Sequence, residues 1–331
     1  MTRAIGLLSG GLDSILAVRV IQNQGIEVLP VSFVTPFFDA SQARRAADEL
    51  GLELRVLDIT EPHLAMVKNP PHGYGKNMNP CIDCHALMLN QAGKVMEKEG
   101  YAFLFTGEVM GERPMSQNKQ SLWVVARDSG YPDRVLRPLS ARFLEPTCPE
   151  REGLVDRERL LDISGRGRKR QIKLAKEYGL KSYPPPAGGC LLTDPAFSRR
   201  LRDLLDHDPE AEPREMQLLR IGRHLRLPPR PDKGASRSVK IIVGRTETDN
   251  NAIEGIRVPG QPLLQLVDYP GPTVLIPGEP SEEDLTLAAR ICARYGDAPK
   301  GKPCKVGVSE PFERVLEVVP AESGETAELM I

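Results

Sequence analysis

The chain has 331 residues, 44 basic and 45 acidic side chains and a net charge of −1. No apolar run reaches the ~18 residues of a membrane span. Met1-Thr2-Arg3 leads straight into a strand without a signal peptide, and six cysteines in a chain of this size do not make a disulfide scaffold. A cytoplasmic protein of one to three domains is therefore expected.

Ala4-Ile5-Gly6-Leu7-Leu8 is strand-like and Ile15 to Ile21 suits a helix. Between them stand Ser9-Gly10-Gly11-Leu12-Asp13-Ser14, two glycines and two hydroxyls at a strand-to-helix turn. Glycine lets backbone approach a ligand closely. The first N–H groups of a helix lack intrahelical partners, and with the helix dipole they suit a phosphate. A Walker A loop is excluded, because no lysine precedes Ser14. Ile26 to Phe33 reads as a second strand, Ser41 to Leu50 as a helix, and Leu52 to Leu57 as a third strand. Cys84 to Glu99 reads as a helix and Tyr101 to Thr106 as a strand, with Trp123-Val124-Val125 and Val135-Leu136 as further short strands. This alternation predicts an α/β fold with a doubly wound parallel sheet, in which ligands sit beyond the carboxyl ends of the strands. Ser9, Ser32, Phe33, Thr106 and Gly107 fall at predicted strand ends and share one expected crevice.

Two proline-rich breaks follow, at 183–190 and 227–231. Phe197 to Leu205 and Met216 to Leu219 between them are helical, Val239 to Val243 and Leu263 to Val267 are strand-like, and Ser281 caps a helix that runs to Tyr295. The last ten residues are expected to fray. The expected division is a nucleotide-binding domain over 1–195, a basic helical linker over 196–232 and a smaller α+β domain over 233–331.

Charge is unevenly placed. Residues 1–150 carry 15 basic and 17 acidic side chains, residues 151–250 carry 22 and 15, and residues 251–331 carry 7 and 13. The basic middle holds one cluster from Arg166 to Lys181 and another from Arg214 to Arg245. Such blocks are candidate phosphate-backbone contacts and, by count alone, equally a solvated helix face.

Cys81-Ile82-Asp83-Cys84 is a Cys-x-x-Cys just before a helix, a spacing that serves one metal, one edge of an iron–sulfur cluster or thiol redox chemistry. Cys190 closes the Pro-Pro-Ala-Gly-Gly segment and is the third candidate. Cys292 reads as core packing, Cys304 lacks partner spacing, and Cys148, between threonine and proline, reads as structural or exposed. His63, His72, His207 and His224 read as surface or structural residues, and His85 as a neighbour to the Cys84 site.

Residues 9–14 resemble the PP-loop, SGGxDS, of the ATP pyrophosphatases, which split ATP to AMP and pyrophosphate and so activate a carbonyl oxygen. The loop, the Cys-x-x-Cys and Cys190 together resemble the tRNA-thiolation branch of that family: the 4-thiouridine synthetases and the cluster-dependent 2-thiouridine and 2-thiocytidine synthetases. Thr106-Gly107-Glu108 with Gly111, Ser116 and Gln117 resembles their TGE…SQ segment, and Arg137-Pro138-Leu139 their RPL segment. The resemblance covers about residues 3–195 and implies an adenine nucleotide alpha hydrolase-like fold. It further implies ATP on Ser9, Gly10, Gly11, Asp13 and Ser14, Mg2+ at Asp13, and a 4Fe–4S cluster on Cys81, Cys84 and Cys190. A persulfide route with two cysteines stays open. Residues 235–310 resemble the NFACT-R RNA-binding module, with Leu263-Leu264-Gln265-Leu266 where that pattern has aromatic and histidine positions. The implied partners are tRNA and either sulfide or a separate sulfur donor, with a homodimer suggested by relatives. Two other readings are a PP-loop ligase or amidase acting on a small molecule, and a non-catalytic RNA-binding protein with structural ATP.

Overall fold

Along the central strands, successive apolar side chains are buried on opposite faces of one sheet, as the period of two requires. The computed structural model describes residues 1–180, 183–184, 190–232 and 235–331, and divides into two units, Met1–Asp194 and Pro195–Ile331. Among the described residues no helix is long and apolar enough to cross a membrane.

The first unit runs β1 (Arg3–Leu7), α1 (Leu12–Gln22), β2 (Glu27–Val34), α2 (Ser41–Leu50), β3 (Arg55–Asp58), α3 (Thr60–Lys68), α4 (Cys81–Glu99), β4 (Phe103–Phe105), α5 (Lys119–Asp128), β5 (Val135–Leu136), α6 (Cys148–Arg151) and α7 (Lys169–Glu177). Its five strands are all parallel, in the order β3-β2-β1-β4-β5. The doubly wound α/β fold expected from the alternation is present. Chain direction along the sheet reverses between β1 and β4, which makes their carboxyl ends the topological switch point. One core joins Leu12, Leu16, Ala43 and Ala175 from α1, α2 and α7 to Phe103 and Phe105. The other joins Leu89, Met96 and Val125 from α4 and α5 to Ile5 and Leu104.

Residues 123–125 form part of α5 and not a strand. Asn118 caps this helix by accepting from the Ser121 N–H at 2.8 Å. Leu122, Val125 and Ala126 are buried at helical spacing, and the run Trp123-Val124-Val125 is too short to decide its own conformation.

The second unit runs α8 (Pro195–His207), α9 (Pro213–Leu218), β6 (Arg223–Arg226), β7 (Arg230–Asp232), β8 (Ala235–Arg237), β9 (Lys240–Val243), α10 (Glu247–Ile256), β10 (Leu263–Leu266), β11 (Val274–Leu275), α11 (Glu282–Tyr295), β12 (Cys304–Val308), β13 (Arg314–Val318) and α12 (Ser323–Glu328). Six of these strands form one sheet in the order β13-β12-β10-β11-β9-β6, and β7 and β8 pair separately. The predicted cap of α11 is present: Ser281 accepts from the Asp284 N–H while the Asp284 carboxylate accepts from the Ser281 N–H. Cys292 is fully buried in this helix's core, as the sequence indicated.

Two expectations are corrected here. The segment 196–232 is more than a helical linker, since β6 is an edge strand of the sheet and pairs with β9. The last residues do not fray: α12 forms, and the Ile331 N–H donates to the His224 carbonyl at 3.0 Å.

Several basic residues are paired internally. Asp203 takes both Arg226 (2.6 Å) and Lys240 (3.2 Å), with Lys240 buried and its amine pushed down to about 8 by loss of solvent. Arg170 meets Asp162 and Arg245 meets Asp249. Asp203 withdraws Arg226 and Lys240 from a phosphate backbone, whereas the pairs of Arg170 and Arg245 lie at the surface and leave those cations available. Lys181 and the side chains of Arg230, Lys233 and Arg237 lie outside the described residues.

Candidate active site

The loop after β1 is built from close backbone approach. Gly10 has φ +80°, and a Cβ there would stand 2.4 Å from the Gln42 carbonyl carbon and oxygen at the start of α2. Gly10→Ala therefore meets both an unfavourable backbone region and a backbone wall, and should cost roughly 1–2 kcal/mol or more. The expected outcome is a lower unfolding midpoint and weaker ATP binding in a calorimetric titration. Gly11 is the N-cap of α1 and makes no side-chain cap. Ser9 and Ser14 are tied across the turn: their hydroxyls lie 3.2 Å apart, Ser14 donates to the Gly11 carbonyl at 2.8 Å, and the Gly11 N–H donates to Ser9 at 3.3 Å. The hydroxyls and the uncapped helix end thus face one small volume, as anion binding requires.

The segment after β4 closes on this loop. A Cβ at Gly107 would stand 2.5 Å from the Ser14 nitrogen, so only glycine lets the two turns touch. Thr106 is buried beside it. Ser32 and Phe33 are buried one strand away in β2, and the Phe33 ring belongs to the core. Any contact of Phe33 with a nucleotide is left to its main chain.

Asp13 occupies the centre. Burial raises its carboxyl above the usual range, opposed by Arg168, Gln171 and Arg113. Its Oδ1 is buried with no hydrogen-bond partner among the described residues. An orphaned carboxylate oxygen at a phosphate-type loop fits a cation, and magnesium commonly takes only one or two carboxylates beside phosphate oxygens. Arg168 reaches this place because the Gly165 N–H donates to the Met110 carbonyl (2.8 Å), which pins the turn before α7 to the segment after β4. Glu112 is raised by burial and by the Asp13 charge.

Beneath this wall lies a buried ionic cluster. Glu108 accepts from Arg137 Nε (3.0 Å) and Thr106 Oγ1 (3.0 Å), and pairs with His85 Nδ1 (2.7 Å). Burial alone would raise its carboxyl, but Arg137, His85 and Thr106 together bring it down to about 2. Arg137 also donates to the Leu122 carbonyl at 2.9 Å.

The cysteines come from two segments far apart in sequence. Cys81 and Cys84 start α4. Asn79 Nδ2 donates to Cys81 Sγ at 3.2 Å, and His63 Nε2 lies 3.3 Å from Cys84 Sγ. Cys190 is fastened opposite by the Leu191 N–H to the Phe37 carbonyl (3.2 Å) and by Asn77 Nδ2 to the Thr193 carbonyl (2.7 Å). Burial pushes the Cys84 thiol well up, with Cys190 and Cys81 adding to the shift, and burial pushes Cys190 up to about 11, with Cys81 again adding. The three thiols therefore lie within electrostatic reach of one another. Arg113 acts electrostatically on both Asp13 and Cys190. Pro185 to Gly189 lie outside the described residues.

Among the described residues no three His, Cys, Asp or Glu side chains converge at single-ion distances. A four-iron cluster binds each thiolate through a different iron, so its ligands need not meet at one point. Three thiols that raise one another's pKa are a donor set suited to such a polycation, which would hold all three as thiolates.

Sequence reasoning missed His63, Arg113 and the place of Arg168. His63 is wholly buried, its ring 5.5 Å from that of Phe37 and 5.3 Å from that of Phe38, and burial pushes it down to about 4. It stands 21 residues from Cys84. No spacing rule joins the two, although an apolar helix carrying one histidine was a faint signal. Arg168 reads as part of the basic cluster in the sequence, because its electrostatic influence on Asp13 depends on a long-range approach.

Residues 222–330 match the family described as NFACT protein RNA binding domain. The chain is 30% identical over 146 residues to a probable tRNA sulfurtransferase of Caldanaerobacter subterraneus subsp. tengcongensis, covering 41% of this chain and 36% of that protein. The chain is similar to the tRNA sulfurtransferases. It spans about a third of the length of the first of these relatives. Among solved structures it is similar to a 4-thiouridine synthetase–RNA complex with bound ATP (21% identity, 66% of this chain and 52% of that one, TM-score 0.39). It is also similar to the U34-tRNA thiolase NcsA of Methanococcus maripaludis with its [4Fe-4S] cluster (16%, 66% and 70%, TM-score 0.34).

Proposed function

We propose that the chain activates a carbonyl oxygen of a tRNA base with ATP and replaces that oxygen with sulfur. The observation that supports this reading is that Cys81, Cys84 and Cys190, from two distant segments, lie within electrostatic reach of one another while Arg113 acts on both Cys190 and Asp13 of the Ser9–Ser14 loop. Likeness to tRNA sulfurtransferases and the RNA-binding family match support it.

In this mechanism the phosphates of ATP lie on the N-terminus of α1, with Ser9 and Ser14 donating hydroxyls and Gly10 and Gly11 allowing close approach. Thr106 and Gly107 close the other side. Asp13 would hold Mg2+, which when bound offsets the repulsion between a carboxylate and a polyanion. Arg168 and Arg113 flank the charge that develops as pyrophosphate departs. The base oxygen attacks the α-phosphorus and pyrophosphate leaves. Sulfur then attacks the activated carbon, and AMP departs with the original oxygen. Cys81, Cys84 and Cys190 would hold a 4Fe–4S cluster, which when bound supplies an iron free of protein ligands for sulfide. Buried His63 and the loops at Phe37 and Asn77 keep the thiols in place and exclude water. Sulfide or a separate donor as sulfur source and a homodimer complete the reading and rest on the resemblance alone, and a cytoplasmic location rests on the sequence composition.

Arg168→Ala is expected to weaken ATP binding about tenfold and to slow pyrophosphate release, with Arg168→Lys recovering part of both. The reading is tested by measuring AMP and pyrophosphate with and without bulk tRNA. Release that depends on tRNA supports it. Equal turnover with a small-molecule acceptor and none with tRNA would favour a ligase, and binding without turnover a structural nucleotide.

A further inference from the structure

Trp123, the chain's single tryptophan, lies on the outer face of α5 and is 53% exposed. Large aromatic rings are seldom left in water without a partner to cover them. The ring is bracketed along the helix by Lys119 four residues before and Arg127 four residues after, a spacing that puts all three on one face. Arg127's guanidinium carbon lies 5.0 Å from the ring centroid. The ion pairs that Lys119 makes with Glu145 and Arg127 with Asp128 are exposed, so phosphate can displace the acids at little cost. The opposite face of α5 is fixed: Leu122, Val125 and Ala126 are buried, and the Leu122 carbonyl takes Arg137 from the Glu108 cluster. The helix follows β4 through the segment that touches the Ser9–Ser14 loop, so its Lys119 end lies toward the candidate crevice.

We infer that α5 is an RNA-binding surface on which an unpaired base stacks against Trp123 while its flanking phosphates meet Lys119 and Arg127. This rests on the proposed action on tRNA and deepens it by naming where the strand outside the crevice is held. A π face between two exposed cations matches a base between two phosphates.

Because the tryptophan is unique, its fluorescence reports on this surface alone. The full chain is titrated with bulk tRNA while binding is followed in parallel by filter retention. Quenching of Trp123 emission along the same isotherm is expected. Trp123→Ala should weaken tRNA binding about tenfold, with Trp123→Phe recovering most of it. Lys119→Ala with Arg127→Ala should lower the salt dependence by roughly two phosphates. The side chain is half exposed, so the unfolding midpoint of Trp123→Ala should stay near that of the parent. Filter-detected binding with unchanged emission and an unweakened Trp123→Ala would overturn the surface and leave the tRNA reading standing. Loss of self-association in Trp123→Ala with unchanged tRNA affinity would assign the face to a second copy of the chain instead. Absence of tRNA binding altogether would overturn the tRNA reading and this surface with it.

Discussion

Chain purified without oxygen is expected to be brown, and Cys81→Ala, Cys84→Ala and Cys190→Ala each to be colourless, with thiolation lost by at least about 100-fold. Loss of a direct ligand should exceed the 10–100-fold that loss of a supporting group usually costs. Cys84 should be the most severe of the three. Burial pushes its thiol well up, and its substitution also strips His63 Nε2 of the sulfur 3.3 Å away. Cys190 is the most informative, because it comes from a different segment and its loss leaves the helix start at Cys81 intact. An ATP titration on the same samples separates loss of metal from loss of fold, since the loop at Ser9–Ser14 draws none of its side chains from the cysteines. Iron and sulfide content with the visible spectrum reads the result. A zinc-loaded parent would contradict the cluster, and so would a colourless parent that still thiolates.

Glu108→Ala is expected to destabilise the first unit by about 3–5 kcal/mol, the usual result of stripping one partner from a buried ion pair. Both Glu108 and Arg137 are only 6% exposed, and three groups converge on the one carboxylate. In a unit of this size that loss lowers the melting midpoint by roughly 6–20 °C. The pH dependence has a definite sign. The folded-state carboxyl lies near 2 against an ordinary 4.5, so the folded state binds the proton less readily than the unfolded chain. The stabilisation, about 3 kcal/mol, is complete above the unfolded value and is lost as the pH falls from about 4.5 to about 2. Acid unfolding followed by circular dichroism should show this loss in the parent, while Glu108→Gln, less stable at neutral pH, should show a shallower slope over that window.

The parts of the site that were legible in the sequence are those with local causes. Ser9 to Ser14 declare themselves because two glycines between a strand and a helix leave few other conformations. The α2 limits match because Ala43, Ala46, Ala47 and Leu50 repeat at helical spacing before Gly51 at φ +68°. Where causes are long-range, reading failed. Val124 and Val125 favour a strand by themselves, and only burial of Leu122 and Ala126 makes them helical. Met330 and Ile331 look like a loose end until β6 offers them an edge. Arg168 carries no mark that separates it from Lys169 and Arg170. What distinguishes it is the position of the turn that Gly165 pins to Met110. His63 lies in the same class, since its sulfur contact exists only once α3 has packed against α4.

The most direct test of sulfur transfer is mass analysis of nucleosides from unmodified bulk tRNA. The tRNA is incubated without oxygen with the cluster-loaded chain, ATP, magnesium and sulfide. Exchange of oxygen for sulfur in one nucleoside is expected, matched by equal AMP and pyrophosphate and abolished by Cys190→Ala. Tight ATP and tRNA binding with AMP formed but no thiolated nucleoside, whatever the sulfur source supplied, would contradict it.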